Sequence, residues 1–242
     1  VGVRMRVLAI RRKRVLSALL FSIAVVVLNL LTLRYLVMVD LDNVDLTVLN
    51  GKTIAIDAGH GGIDDGAKGN GLVEKNINLA IAAKLASILA DNGAKTVFTR
   101  EGDIDYYTKG KGGKRNDLLK RAEIIDASGA NLYLSIHCNA IKGANWSGAQ
   151  VFYNPKLEEN RQLAEIAQQA LRNFPSGNKR QAKQDSDIIL LKTVTIPGVL
   201  IEAGFISNPT EAAQLNTEAY QQKLAESIAK ALAYHFSQNV GR

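Results

Sequence analysis

From residue 52 onward, runs patterned as strands alternate with runs patterned as helices, an order that few folds accept. The β-rich runs are "KTIAID" (52–57), "AKTVFT" (94–99), "NLYLSIH" (131–137), "GAQVFYN" (148–154), "DIILLK" (187–192) and "GVLIEA" (198–203). Helical patterns occupy 74–92, 116–128, 157–173 and 217 to about 237. Alternation of this kind predicts an α/β domain on a mostly parallel, about six-stranded sheet with helices on both faces. In the first helix Ile77, Ile81, Leu85 and Ile88 share one face, and "DNG" at 91–93 supplies a glycine stop. A chain of 242 residues can bury one substantial core, and no second region is long enough for a separate binding module.

The N-terminus reads differently. Val15 to Leu33 is a run of 19 residues without a charge, which as a helix spans about 28 Å, close to a bilayer core. "RRKR" at 11–14 precedes it, so the positive-inside rule leaves the N-terminus in the cytoplasm and exports the remainder of the chain. The expected organisation is a basic tail (1–14), a transmembrane anchor or signal segment (15–39), a stalk (40–50) and a catalytic domain (51–242) outside the cytoplasm. A cleaved signal peptide is the competing reading. The apolar run is long for one, and no clear A-x-A site comes after it.

The formal charge of +7 does not indicate a nucleic-acid partner. Arg4, Arg6, Arg11, Arg12, Lys13, Arg14 and Arg34 all precede the first acidic residue, Asp40; taking those seven from 30 basic residues leaves 23, equal to the 23 acidic ones. The globular part is therefore neutral rather than shaped to neutralise phosphates. The single cysteine, Cys138, excludes an intrachain disulfide framework and a thiolate-rich metal site.

In an open α/β sheet, ligands bind beyond the carboxyl ends of the strands, where loops converge on a rigid scaffold. Three predicted strands lead at that end to ionisable residues: "TIAIDAGH" to His60, "NLYLSIH" to His137 and "GVLIE" to Glu202. Glu74 opens the first helix after a loop containing Gly61, Gly62, Gly66, Gly69 and Gly71, which can fold its carboxylate back beside His60. Two imidazoles and a carboxylate suit zinc at a catalytic site, which keeps a fourth position open; calcium or magnesium would take oxygen ligands alone. Asp64 and Asp65 compete with Glu74 for the third place, and Glu74 could simply favour its helix N-terminus. A carboxylate at Glu202 is costly to bury without a metal, a cation or several donors. Cys138 alternates to the face opposite His137, as a small buried residue. His235 reads as a surface residue of the last helix, and Trp146 as a sugar platform or a loop anchor.

With these residues in place the sequence resembles the zinc-dependent N-acetylmuramoyl-L-alanine amidases of the Amidase_3 type. The blocks "IAIDAGHGG", "GLVEKNINL", "NLYLSIHCNA" and "GVLIEAGFISNPTEAAQL" occur in the family's order across about 52–238. The resemblance implies that His60, Glu74 and His137 are zinc ligands and that Glu202 is the catalytic glutamate. It also implies peptidoglycan as substrate, cut between the lactyl group of N-acetylmuramic acid and L-alanine. Asp57, Arg121 and Asn139 are candidates for orienting a ligand or touching substrate, and the basic loop "TKGKGGKR" (108–115) for meeting stem-peptide carboxylates. Within the family the chain is most similar to the germination-specific spore-cortex amidases, which implies a place between the forespore membranes and a step toward muramic δ-lactam. Whether an activating protein partner is needed is open at this point. The rival functions are a catalytically inactive peptidoglycan-binding protein and a zinc peptidase cutting within the stem peptide.

Overall fold

The computed structural model describes residues 14–30, 32, 41, 43–107 and 113–238, and the chain divides into two units, Val1–Asn43 and Val44–Arg242. In the first unit residues 14–30 are helical (α1), with apolar side chains such as Leu16, Phe21 and Leu28 exposed. Among the described residues no helix is long and apolar enough to cross a membrane. The spanning helix expected over 15–33 is therefore not shown, and positions 31 and 33 of that run, like the basic tail up to 13, lie outside the described residues.

The second unit runs through a short 3-10 helix (Leu46–Leu49), β1 (Thr53–Ala58), β2 (Lys68–Gly69), β3 (Leu72–Val73), α2 (Glu74–Asp91), β4 (Lys95–Phe98) and α3 (Gly113–Ala127). It continues with β5 (Leu132–Asn139), β6 (Gln150–Tyr153), α4 (Glu158–Ala170), β7 (Lys183–Gln184), α5 (Ile189–Thr193), β8 (Gly198–Phe205), α6 (Pro209–Leu215) and α7 (Glu218–Gln238). Six strands form one sheet in the order β4-β1-β5-β8-β6-β7. β1 is parallel to β4 and β5, β5 to β8, and β6 to β7; only β6 against β8 is antiparallel. The expected α/β architecture with a mostly parallel six-stranded sheet is what the chain adopts.

Both faces of the central strands are covered, which is why "TIAIDA" and "GVLIEAGF" are buried almost throughout instead of alternating with polar residues. Ile54, Ile56, Leu134, Ile136, Val199 and Ile201 face the core shared with α2, α4 and α7. Ala55, Tyr133 and Leu200 face a smaller core with Ala122 and Ile125 of α3 and Leu190 and Leu191 of α5. On α2, Ile77, Ile81 and Leu85 are buried as expected, with Leu89 fully buried and Ile88 only partly so. The helix stops where Gly93 adopts φ +76, a left-handed conformation open to glycine.

Three local expectations are corrected. "DIILLK" is not a strand: Asp185 Oδ1 accepts the N–H groups of Asp187 and Ile188 at 2.9 and 3.1 Å, an Asx turn that leads the chain into α5. The sheet position is taken instead by the two-residue β7. The stretch read as a stalk, 40–50, ends inside the domain, since Leu49 is fully buried in the main core. His235 is not on the surface but 5% exposed on α7, beside Phe236, and burial holds its imidazole below the ordinary pKa.

Candidate metal centre

The site lies at the carboxyl ends of β1, β5 and β8. β1 leads into Ala58-Gly59-His60, where His60 sits at φ +64, a left-handed conformation that costs a non-glycine residue roughly 1–2 kcal/mol and needs outside support. Two buried arginines supply it. Arg100 Nε and Arg121 Nη1 donate to Ala58 O at 2.6 and 3.1 Å, and Arg121 Nη2 donates to His60 O at 2.7 Å. Gly59 O accepts Arg100 Nη2 and Asn78 Nδ2, both at 3.1 Å. Every carbonyl of the turn thus has a donor. Gly59 itself is required by proximity, because a Cβ there would lie 2.2 Å from the His137 ring.

Glu74 reaches the site by way of the β2–β3 hairpin. Its turn residues Asn70 and Gly71 have φ +50 and +79, as an Asn-Gly type I′ turn demands, and the hairpin returns the chain to open α2 beside His60. Glu74 Oε1 then lies 3.1 Å from His60 Nε2 and 3.0 Å from His137 Nδ1, and accepts the Cys138 N–H at 3.1 Å. Its other oxygen accepts the Ala67 N–H at 2.8 Å. Burial alone would raise the Glu74 pKa, but the hydrogen bonds and charges of the two imidazoles win and hold it well below the usual carboxylate range. The same contact raises His137 against its own burial.

The donor set fits zinc. His60, Glu74 and His137 each offer one ligand atom, all within 4.8 Å of one another. Ligands at 2.0–2.1 Å around a tetrahedral ion would stand about 3.3 Å apart, close to the two separations found. Behind His60, its Nδ1 meets Asp64 Oδ2 at 2.9 Å, the carboxylate–histidine arrangement that fixes the tautomer of a metal ligand. Asp64 is thus a support for His60, and Lys114, 2.9 Å from the same oxygen, helps hold the Asp64 pKa at about 2 against the effect of burial.

Glu202 completes the group. It pairs in register with His137 on the neighbouring parallel strand, so both side chains project from the same face. Its Oε2 is buried and has no hydrogen-bond partner among the described residues. Burial and the nearby Glu74 charge push its pKa up to about 7, with His137 and His60 opposing.

The remaining candidates separate. Asp57 touches neither histidine side chain; it accepts from Thr99 Oγ1 and Ser135 Oγ at 2.6 Å and pairs with Arg121 at 2.9 Å. Arg121 is 1% exposed and spent on Asp57, Asp117 and the Ala58 and His60 carbonyls, so it has no edge for a substrate carboxylate. Asn139 ends β5, where its carbonyl accepts the Ile206 N–H at 2.9 Å. Residues 108–112 of the basic loop lie outside the described residues. Cys138 is buried in the main core, on the face opposite His137. Trp146 is 50% exposed in a loop fastened by Asn208 Nδ2 to the carbonyls of Ala144 and Trp146 at 2.9 and 3.1 Å.

Arg100, Asn78 and Glu211 escaped the sequence reading. Arg100 comes just after β4, at the same carboxyl end that yields His60, so the rule already applied would have found it. Asn78 lies one turn after Glu74. Glu211 sits in "NPTE", where Asn208 caps α6 and Pro209 takes the first helical position. Its oxygens accept the N–H groups of Gly148 and Phe205 at 3.0 and 3.1 Å, tying the Trp146 loop to the end of β8.

The family described as N-acetylmuramoyl-L-alanine amidase matches residues 54–234, the whole span that carries this centre. The chain belongs to the Amidase_3 family. It is 44% identical to the germination-specific N-acetylmuramoyl-L-alanine amidase of Bacillus subtilis over 194 residues, 78% of this chain and 82% of that protein. The CwlD amidase of Clostridioides difficile, solved in complex with the GerS lipoprotein, is similar at 39% identity and TM-score 0.73, covering 78% of this chain and 100% of that one. The catalytic domain of CwlV from Bacillus (Paenibacillus) polymyxa matches at 28% identity and TM-score 0.68, over 77% and 98% of the two chains. The amidase acts on peptidoglycan, and His60, Glu74 and His137 form its zinc site.

Proposed function

We propose that this amidase uses Glu202 as its general base and acid, and that it works on spore-cortex peptidoglycan from a membrane-held position. The observation that carries the first part is the buried, unpartnered Glu202 Oε2 beside His137. A zinc ion held by His60, Glu74 and His137 would supply Lewis acidity toward the lactyl carbonyl and lower the pKa of an attacking water. Glu202 Oε2, beside His137 and without a partner among the described residues, would take a proton from the attacking water and hand it to the departing alanine nitrogen. Glu74, Asp64 and the two arginines keep the imidazoles in place and undergo no change. A catalytically inactive descendant would have no use for this oxygen beside an intact ligand set, and the family assignment favours the lactyl–alanine bond over one inside the stem.

The cortex reading rests on the 44% identical germination-specific relative. The membrane position rests on the uncharged run 15–33 after "RRKR", and the lipoprotein seen with the Clostridioides difficile enzyme is consistent with work near a membrane. Expressing the chain in a sporulating Bacillus strain that lacks its own cortex amidase tests both. Restored muramic δ-lactam in the cortex, with the protein in the membrane fraction, is expected. Cortex without δ-lactam despite normal expression would refute the cortex role, and a wholly soluble protein would refute the anchor.

A further inference from the structure

The row of side chains that begins with His137 and Glu202 does not end there. Gln150 stands opposite Glu202 in the antiparallel β6–β8 register, on the same face. Its Oε1 accepts Arg180 Nη1 at 2.8 Å, and Arg180 Nε donates to Ser147 O at 2.7 Å. The guanidinium lies 4.6 Å from the centre of the Phe205 ring and 6.0 Å from that of Trp146. Among the described residues its side-chain hydrogen bonds go to neutral oxygens and use Nε and Nη1, which leaves Nη2 available. Glu211, the charge that acts on it, has both oxygens committed to Gly148 and Phe205 N–H groups. Arg180 is thus a positioned cation with an open edge, walling a cavity of about 460 Å³ together with Trp146, Asn145 and Asn178.

We infer that Arg180 receives a carboxylate of the stem peptide and makes this cavity the leaving-group side of the active site. The inference rests on the amidase reading above and deepens it. A guanidinium held over an aromatic ring, with an N–H edge that has no partner among the described residues, suits a planar carboxylate. In the peptidoglycan repeat the N-acetylated sugars are neutral, and carboxylates occur on the peptide. Glu202 and Gln150 have Cβ atoms about 5 Å apart by their pairing, and Arg180 lies one side chain further. An extended peptide advances about 3.3 Å per residue, so the carboxylate engaged belongs to one of the first three stem residues. The role once open to Arg121, which the fold buries, falls to Arg180.

The test compares zinc-loaded wild type, Arg180→Gln and Arg180→Lys on matched muropeptides whose stem carboxylates are free or converted to amides. Calorimetry with the free stem peptide, acid and amide forms, runs in parallel. Wild type is expected to prefer the acid form through KM, and Arg180→Gln to cut that preference by about tenfold or more with kcat little changed. Arg180→Lys, which keeps the charge, should retain part of it, and the calorimetric preference should fall in step. Equal acid-to-amide ratios for wild type and Arg180→Gln, in both kinetics and calorimetry, would overturn the assignment. Absence of cleavage by wild type would count against the amidase reading instead, while the calorimetric ratio would still decide the role of Arg180.

Discussion

Glu202 and His137 are lateral partners in the parallel β5–β8 register, immediately before the point where that register shifts. One residue belongs to the zinc site and the other has a buried carboxylate oxygen without a partner. The arrangement places an unpartnered carboxylate oxygen beside a metal ligand, one strand spacing away and outside the ligand cluster.

Glu202→Gln should therefore leave zinc content at wild-type level while kcat falls by roughly 10²–10⁴-fold, the usual scale for loss of a general base. Metal analysis and muropeptide mass spectrometry on the same preparation check this. Near-normal turnover by the Gln variant would take Glu202 out of the reaction.

The raised pKa of Glu202 also has a sign that stability must obey. Because the folded value, about 7, lies above the ordinary 4.5, the folded state holds its proton longer than the unfolded one, and stability declines as pH rises from 4.5 to 7. Glutamine removes that cost. In chelator-stripped protein, Glu202→Gln should match wild type near pH 4.5 and exceed it at pH 8 by roughly 3 kcal/mol. Urea unfolding at the two pH values measures it, and a gap independent of pH would refute the linkage.

Arg100 grips Ala58, Gly59 and Lys75 carbonyls, joining the His60 turn to the start of α2. Arg100→Lys keeps the charge but not the fork, and zinc affinity should fall roughly 10–100-fold, the range for supports behind metal ligands. Competition with a zinc chelator reads this directly. Unchanged affinity in a folded variant would show that the turn holds without the fork.

Gly59→Ala is expected to displace the His137 ring, since the added Cβ would lie 2.2 Å from its Cε1 and Nε2 atoms. Loss of zinc together with reduced thermal stability is the expected result, and a variant that binds zinc normally would contradict the packing described.

The sheet and the metal ligands were legible because each leaves a local mark. Covered parallel strands are apolar runs, and His60, His137 and Glu202 come where such runs end. Glu74 was legible only through the glycines before it, and choosing it over Asp64 took the family resemblance; the structure shows why both carboxylates converge, one on Nε2 and one on Nδ1 of the same ring. What stayed hidden depends on contacts distant in sequence. Arg121 looks like a helix-face charge until Asp57, 64 residues away, is packed against it. "DIILLK" satisfies strand and helix patterns alike, and the Asp185 turn decides between them. Arg180 lies in a polar segment with no periodicity, and becomes informative only once β6 sets Gln150 opposite Glu202.

This centre cuts the bond between the muramic lactyl group and L-alanine. The most direct measurement is to incubate the zinc-loaded protein with purified peptidoglycan and label every new amino terminus for mass spectrometry. New termini at L-alanine, paired with free lactyl carboxylates on intact glycan, are the predicted result. New termini further along the stem, or L-alanine termini produced equally by Glu202→Gln, would contradict it.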